Sequence, residues 1–213
     1  MPNVDRPNGF RPVMHGDGNP WNGRFNMYYV TAGDTTAIYV GDVVKLTGTT
    51  GTSGESCQGH SVDGMPIISR CTIGDGTDTP VGVVVGFLPE PSNLGLRYRP
   101  TSGSGAARIA QVVDDPNVIF EVQEDAATTS IAAASVGLNA TFSVTAGLTT
   151  TGESQMELIS TSVATTTTHP VRILRVKPEP GMGLYHATNN PSNGRFLVKF
   201  NAHVFRGLGT TGF

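Results

Sequence analysis

Five carboxylates flank one apolar run and form the densest group of side chains that could do chemistry. They are Asp114, Asp115, Glu121, Glu124 and Asp125. Paired carboxylates serve glycoside hydrolysis and divalent-metal binding. Against this, Asp114-Asp-Pro-Asn is typical of a turn whose aspartates bond to the local backbone, and Glu121 points outward from an alternating strand pattern. We therefore favour a solvated set of carboxylates, with a glycan hydrolase using Asp114 or Glu121 as the weaker alternative.

Two further groups resemble parts of metal sites, but neither is complete. Cys57, His60 and Cys71 supply three zinc-type ligands, whereas a structural zinc site takes four. Asp75-Gly-Thr-Asp78 lacks the glycine and glutamate positions of a calcium loop, so a turn is favoured. No serine lies in a Gly-x-Ser-x-Gly motif that would indicate a hydrolase. We expect no catalytic residue, no metal and no cofactor, and two free thiols in a reducing compartment.

Planar side chains that could stack on a ligand cluster at Arg97, Tyr98 and Arg99. Three more tyrosines lie in strand-like runs, at Tyr28, Tyr29 and Tyr39. Such side chains can bind a sugar or a base, and they are equally typical of protein interfaces. Because the chain is acidic, the interface interpretation is favoured. Arg97, Tyr98 and Arg99 are therefore predicted to be partner-binding surface residues.

The composition limits the classes of partner. The 213 residues carry 14 basic and 17 acidic side chains, for a formal net charge of −3, and only 15% of the residues are charged. Such a chain lacks the basic footprint of a nucleic-acid-binding protein, so direct nucleic-acid binding is not expected. No apolar run approaches the length of a membrane span, and the N-terminus lacks a secretory pattern. We expect a cytosolic origin and no membrane partner.

Short β-branched and aromatic runs, bounded by glycine, proline and threonine clusters, recur along the whole chain. They predict an all-β protein, a β-barrel or β-sandwich with long loops. The predicted strands are 25–31, 37–40, 42–46, 66–72, 81–88, 96–99, 107–113, 118–123, 140–144, 156–159, 171–177 and 195–205. The run 81–87 is apolar on both faces and predicts a central strand that bends at Gly82 and Gly86. The best helix candidate is only Thr128 to Ala134.

Residues 1–26 are predicted to form an extended arm, and residues 27–213 the β body, with a division into two sub-barrels near residues 100–106. Four prolines and four glycines in the arm disfavour a helix or a central strand. The side chains of this arm that are predicted to contact a neighbouring subunit are Phe10, Arg11, Val13, Met14, Trp21 and Arg24. The Asn-Gly sequences in Asn19 to Phe25 and in Asn190 to Phe196 are predicted to be turns that each launch a terminal strand.

The order of turns and strands is characteristic in several segments: Pro7-Asn-Gly-Phe-Arg-Pro-Val13, Tyr28-Tyr-Val30, Val40-Gly-Asp-Val-Val44, Val81-Gly-Val-Val-Val-Gly86, Asp114 to Asp125, Val136-Gly-Leu-Asn139 and Val171-Arg-Ile-Leu-Arg175. These segments resemble a family of tailed-bacteriophage virion proteins known as capsid decoration, or cement, proteins. The resemblance covers most of the chain and depends on the positions of turns and strands rather than on a chemical signature.

The resemblance implies an accessory protein, not an enzyme, that binds the outside of an icosahedral shell and holds capsomers together. The implied partners are the major capsid protein and further copies of the chain, with a trimer as the expected assembly. The implied location is the exterior of the virion, after synthesis in the bacterial cytoplasm. A carbohydrate-binding module or tail-associated adhesin is the alternative, suggested by the long loops and by Arg97, Tyr98 and Arg99.

Overall fold

The computed structural model describes residues 4–72, 74–103, 105–125, 130–177 and 193–206. Over these residues the prediction of an all-β fold is confirmed, because they form twelve strands, three 3-10 turns and no α-helix. The strands are β1 (Arg11–His15), β2 (Asn26–Val30), β3 (Val43–Thr50), β4 (Ser56–Cys57), β5 (His60–Ser61), β6 (Pro66–Arg70), β7 (Pro80–Phe87), β8 (Arg108–Val113), β9 (Val118–Gln123), β10 (Asn139–Ala140), β11 (Val171–Val176) and β12 (Arg195–Phe200). The 3-10 turns are Ala133–Ser135, Ser160–Ser162 and Val204–Arg206. The described residues include no helix that is long and apolar enough to span a bilayer.

Five strands close into a barrel in the order β2-β6-β3-β7-β8, in which only the β2–β6 pair is parallel. Strand β7 lies between β3 and β8 and is buried from Pro80 to Val84, as its continuous apolar sequence predicts. A register shift between Val84 and Gly86 bends it. Gly82 passes so close to β8 that an added Cβ would lie 2.2 Å from the Val113 carbonyl oxygen.

The second large sheet is antiparallel, in the order β1-β9-β12-β11-β10. Alternation along β9 and β12 places apolar side chains such as Phe120 and Phe200 on one face. That face packs against Val43, Val83 and Val113 of the barrel strands in one apolar cluster. The barrel and the sheet therefore share a hydrophobic core.

The chain passes from the barrel to the sheet in the turn between β8 and β9, at residues 114–117. The expected division near residues 100–106 falls instead inside the connection from β7 to β8. That connection is tied to the barrel, since the buried Arg99 side chain donates at 2.8 Å to the carbonyl oxygen of Thr31, the residue that follows β2. The loop clusters that suggested a boundary are surface connections of one barrel.

The expectation of an extended arm over residues 1–26 has to be corrected. Residues 11–15 form β1, which pairs antiparallel with β9, and Arg11 lies opposite Glu121. Proline is tolerated at Pro12 because β1 is an edge strand, where a missing N–H group need not face a partner. A register shift between Pro12 and Met14 marks the irregularity. The segment is thus part of the body.

Several predicted boundaries also differ from the structure. Segments 37–40, 96–99 and 156–159 form isolated bridges rather than strands, and the predicted strand 195–205 ends at Phe200. The predicted loop 47–64 contains the end of β3 and the hairpin β4–β5. The helix candidate Thr128 to Ala134 lies partly outside the described residues, and its end enters a 3-10 turn. Residues 190–192 also lie outside them, whereas Asn193 has a left-handed φ of 64° just before β12.

Candidate partner-binding surfaces

Phe10, the first predicted partner contact, lies in the core of its own chain. Its side chain is 1% exposed, and its ring centroid lies 5.4 Å from those of Phe142 and Phe200. The Phe10 N–H donates to the Gly41 carbonyl oxygen at 3.0 Å. The preceding Gly9 has φ +67°, and a Cβ there would lie 2.4 Å from the same oxygen. Phe10 is therefore an anchor of β1 and not a contact for a neighbouring subunit.

Trp21 and Arg11 border an open cleft of about 270 Å³ between β1 and β7. The Trp21 indole N–H donates to the Arg24 carbonyl oxygen at 3.2 Å, and its backbone N–H donates to the Val13 carbonyl oxygen at 3.0 Å. The Arg11 guanidinium forms an ion pair with Glu153 at 2.9 Å. These predicted partner contacts thus first hold the N-terminal segment on its own body.

The remaining predicted residues of this segment differ in exposure. Val13 and Met14 are half-buried, and Met14 forms an isolated bridge with Pro20. Arg24 is exposed. Of the six predicted residues, Arg11 and Arg24 are therefore the most accessible to a partner, although Arg11 already has Glu153 as a counterion.

The outer face of β2 carries exposed apolar side chains that sequence reasoning did not single out. Tyr28 and Val30 point into the barrel, so alternation places Phe25, Met27 and Tyr29 on the outside. The hairpin β4–β5 covers Tyr29, whose hydroxyl donates to Glu55 at 2.5 Å. Phe25 and Met27 stay 36% and 43% exposed. We refer to Phe25 and Met27 as the uncovered β2 face.

Sequence alone could not separate the two faces of β2, because both carry apolar residues. The amphipathic alternation that normally distinguishes the core side from the solvent side is absent from Phe25 to Val30. The only available signal was the position of Phe25 directly after the Asn22-Gly23 turn. The location of the β4–β5 hairpin decides which outer residues are covered, and that hairpin lies in a predicted loop.

In the turn between β8 and β9, Asp115 bonds to the local backbone as its sequence predicts, whereas Asp114 bonds to side chains of β2. The Asp115 carboxylate accepts the Asn117 N–H at 2.8 Å, and Asp114 accepts from the Asn26 amide and from the Tyr28 hydroxyl at 2.7 Å. Burial, followed by the Asp114 carboxylate, raises the pKa of Tyr28, so its hydroxyl stays protonated as the donor. An open cleft of about 380 Å³ lies beside this turn. Its carboxylates are engaged in structural hydrogen bonds.

Arg99, predicted to be a surface residue, is fully buried. Its guanidinium donates to four backbone carbonyl oxygens at 2.6–2.8 Å, those of Thr31, Asp34, Thr36 and Ala106. The half-buried Tyr98 ring stacks on Tyr39 at a centroid distance of 4.9 Å. Of the three predicted residues, only Arg97 is exposed. The sequence identifies these side chains as planar. It does not show that Arg99 is buried, because most of the backbone carbonyl groups that it contacts belong to residues 31–36, which are distant in sequence.

The outer face of the five-stranded sheet carries a cluster of cations around Glu121. The cations are Arg172, Arg175, Lys177, Arg195 and Lys199, and we refer to them as the basic sheet face. Glu121 accepts from Lys177 at 2.5 Å and from Arg195 at 2.8 Å. Although burial opposes ionisation, these two cations together lower the pKa of Glu121. Glu121 is only 7% exposed, so its expected solvated position is corrected.

Glu124 directly follows β9 and is buried, against the solvated interpretation of this cluster. Glu124 is 1% exposed and accepts the N–H groups of Ile131 and Gly194, at 2.6 and 3.2 Å. Burial raises its pKa to about 7. Burial, followed by Asp5 and Asp125, raises the pKa of Glu157 to about 7 as well. The Glu124 and Glu157 carboxylates therefore change from neutral to charged near neutral pH.

The candidate metal ligands do not converge. Cys57 and His60 face each other in the β4–β5 hairpin, whereas Cys71 belongs to the core shared by barrel and sheet, and both thiols are free and buried. Asp75 caps its own turn by accepting the Thr77 N–H at 2.9 Å, and Asp78 pairs with Lys45 at 2.6 Å. Among the described residues, no group of three histidine, cysteine or acidic side chains could hold a metal ion.

Comparisons with known proteins add no relative. No family model matches the chain, and neither a curated protein nor a solved structure matches it. The assignment of function therefore depends on the resemblance in the sequence and on the surfaces described above.

Proposed function

We propose that the chain is a structural protein of a bacteriophage head, a decoration protein that binds the outside of the icosahedral shell and stabilises contacts between capsomers. The resemblance in its turn-and-strand segments supports this proposal. In it, the protein acts by covering area and linking neighbours rather than by catalysis. Its partners are the major capsid protein and further copies of itself, in a homo-oligomer for which we propose a trimer.

The uncovered β2 face is the observation that carries this proposal. Met27 lies on the barrel strand β2 and Phe25 directly precedes that strand; they are 43% and 36% exposed, next to the exposed Arg24. Apolar side chains on a strand with a buried reverse face cannot turn inward, so they are available to a protein partner. Aromatic, methionine and arginine side chains are also the types enriched at protein interfaces. Phe25 and Met27 are thus proposed as the apolar part of a contact, with Arg24 as a charged side chain beside it.

The charged side chains support a binding role over a catalytic one. Asp114 is held by Asn26 and Tyr28, while Glu121 is held by Lys177 and Arg195. A glycoside hydrolase instead needs two carboxyl groups that flank one sugar bond and are free to act as acid and base. The Asp114 and Glu121 carboxylates belong to two separate hydrogen-bond networks. Both networks join elements of the fold.

Co-sedimentation with purified phage heads tests the proposed function. Heads prepared without the protein are expected to bind it in a copy number comparable to that of the shell protein, since a decoration protein occupies many equivalent sites. Saturation at only a few copies per particle, together with binding to host-surface glycans, would instead identify an adhesin. Binding to neither would reject the proposal.

The uncovered β2 face is tested by the double variant Phe25→Ser and Met27→Ser. We expect it to fold with an unchanged thermal midpoint and to bind heads at least about tenfold more weakly, because an apolar contact of this size contributes more than about 1.4 kcal/mol. Leu94→Ser is the matched control, since Leu94 is 79% exposed on a different loop. If both variants lose affinity for heads equally, or if the double variant loses none, this face has no role in binding.

A further inference from the structure

The basic sheet face concentrates charge that is sparse elsewhere in the chain. Five of the 14 basic residues lie on two neighbouring strands and at their ends, whereas the whole chain has a net charge of −3. Strand pairing creates this concentration: Arg172 lies opposite Lys199 in the β11–β12 register, and Lys177 bonds through its N–H to Arg195. The cations are far apart in sequence, so the cluster exists only in the folded sheet.

Glu121 neutralises only part of the cluster. It pairs with Lys177 and Arg195, whereas Arg172 and Lys199 donate to neutral amide oxygens, at 3.1 Å to Asn139 and at 2.9 Å to Asn117. The Arg175 side chain is exposed and makes no hydrogen bond or ion pair within the part of the chain that the structure describes. Three cations therefore lie on this face without a paired carboxylate.

The shape and composition of the face favour a protein partner over a nucleic acid. Leu197 lies opposite both Arg175 and Glu121 in the sheet register, and Ile119 shares the outer side of β9; both are half-buried. Arginine is among the side chains enriched at protein interfaces. Single-stranded nucleic acid would call for aromatic stacking platforms, and the described outer positions of β9, β11 and β12 carry no aromatic side chain.

We propose that the basic sheet face docks on an acidic patch of the outer surface of the shell protein. This inference deepens the proposed function and rests on it. Because the chain as a whole is negative, an acidic patch on the shell would repel much of its surface and attract this face. The electrostatic field of the basic sheet face would therefore set the orientation in which the protein binds the shell. The uncovered β2 face, on a different sheet, is then free to contact a neighbouring molecule on the shell.

Removing the charge of the two exposed arginines of this face tests the proposal. The double variant Arg172→Gln and Arg175→Gln is compared with Ser53→Glu combined with Leu94→Glu, which lowers the net charge by the same two units at two exposed residues elsewhere. Binding is measured to phage heads prepared without the protein and to fluorescent poly-L-glutamate, at about 50 and about 500 mM salt. If the double variant has a lowered thermal midpoint, Arg175→Gln replaces it, with Leu94→Glu as its control.

The sheet-face variant is expected to bind both probes at least about tenfold more weakly at low salt, with a smaller salt dependence, while the control stays within about twofold of the parent. Head binding that survives in the variant would overturn the proposal while leaving the decoration function intact. If the parent protein binds poly-L-glutamate through these arginines but does not bind heads, the proposed decoration function is rejected, whereas the basic sheet face is still a binding site for acidic ligands. A preference for duplex DNA over poly-L-glutamate, or a changed oligomeric state in the variant, would assign the face to another partner and overturn the proposal.

Discussion

Arg99 and Arg108 are buried guanidinium groups that bond to backbone carbonyl oxygens and not to carboxylates. Arg99 joins the loops around Thr36 and Ala106, and Arg108 donates to the carbonyl groups of Leu88, Leu96 and Tyr98. Burial lowers the pKa of both groups, but an arginine stays charged well below its ordinary pKa. Each is therefore a fixed, fully charged donor that holds long loops in place.

Arg99→Lys is expected to destabilise the protein by about 3–5 kcal/mol, because one ammonium group cannot reach four carbonyl oxygens and leaves several buried acceptors without donors. Urea denaturation measures the change in unfolding free energy. Arg97→Lys is the matched control, since Arg97 is exposed two residues earlier, and it should change stability by less than about 0.5 kcal/mol. Similar stabilities for the two variants would show that Arg99 is not a structural donor.

Glu157 gives stability a dependence on pH. Its pKa is about 7 in the folded protein and near 4.5 when unfolded, so the folded state binds more protons between these values. The free energy of unfolding therefore falls as the pH rises from about 4.5 to about 7 and then levels off. In Glu157→Gln this decrease should become smaller, with a gain on the order of 1–2 kcal/mol at pH 8. Glu124, whose pKa is also about 7, and Asp42, whose pKa burial raises to about 6, add to this slope, whereas His203, whose pKa burial lowers to about 4, opposes it.

Urea denaturation at a series of pH values measures this effect. Glu90→Gln is a suitable control because the Ser92 hydroxyl bond lowers the pKa of Glu90, which moves its contribution below pH 4.5. Its slope between pH 4.5 and 7 should match that of the parent protein. A Glu157→Gln variant with the parent's pH dependence would mean that Glu157 is ionised at no cost to the fold.

Strand β1 is attached to the body by the buried ring of the preceding Phe10, by its pairing with β9 and by the Arg11–Glu153 ion pair. Phe10→Ala removes a ring that contacts Phe142 and Phe200 and should cost about 3–5 kcal/mol, the usual cost of a buried aromatic truncation. Urea denaturation measures this loss. Deleting residues 2–24 should be worse, because it also exposes the edge of β9 to other chains. A folded, monomeric deletion variant, assessed by light scattering, would show that β1 is dispensable.

The sequence predicted elements well where one run of residues contained the whole signal. The β-branched and aromatic runs of β7, β9 and β11 were recognised at almost their full length. Strand β1 was missed because Pro12 and its flanking glycines argue against a strand, and only the edge position in the sheet makes the proline acceptable. The basic sheet face was missed for a related reason: its members meet through strand register, which local patterns do not specify.

The barrel and the sheet should unfold together, because Val43, Val83 and Val113 of the barrel pack in the same cluster as the sheet. Trp21, the only tryptophan, packs against that cluster and reports on the sheet side. Its fluorescence and the far-ultraviolet circular dichroism of the whole chain should therefore change at the same urea concentration. Two separate transitions would show that the barrel and the sheet are independent units.

Both edges of the open sheet are blocked by the chain's own backbone. Residues 19–21 return along β1, where the Trp21 N–H donates to the Val13 carbonyl oxygen at 3.0 Å, and Asn139 of β10 exchanges two hydrogen bonds of 2.9 Å with Ala164. The other five-stranded sheet is a closed barrel, which has no edge. At high local concentration, copies of this chain therefore offer few free strand edges among the described residues on which a fibre could nucleate, and contacts between copies are directed to the sheet faces.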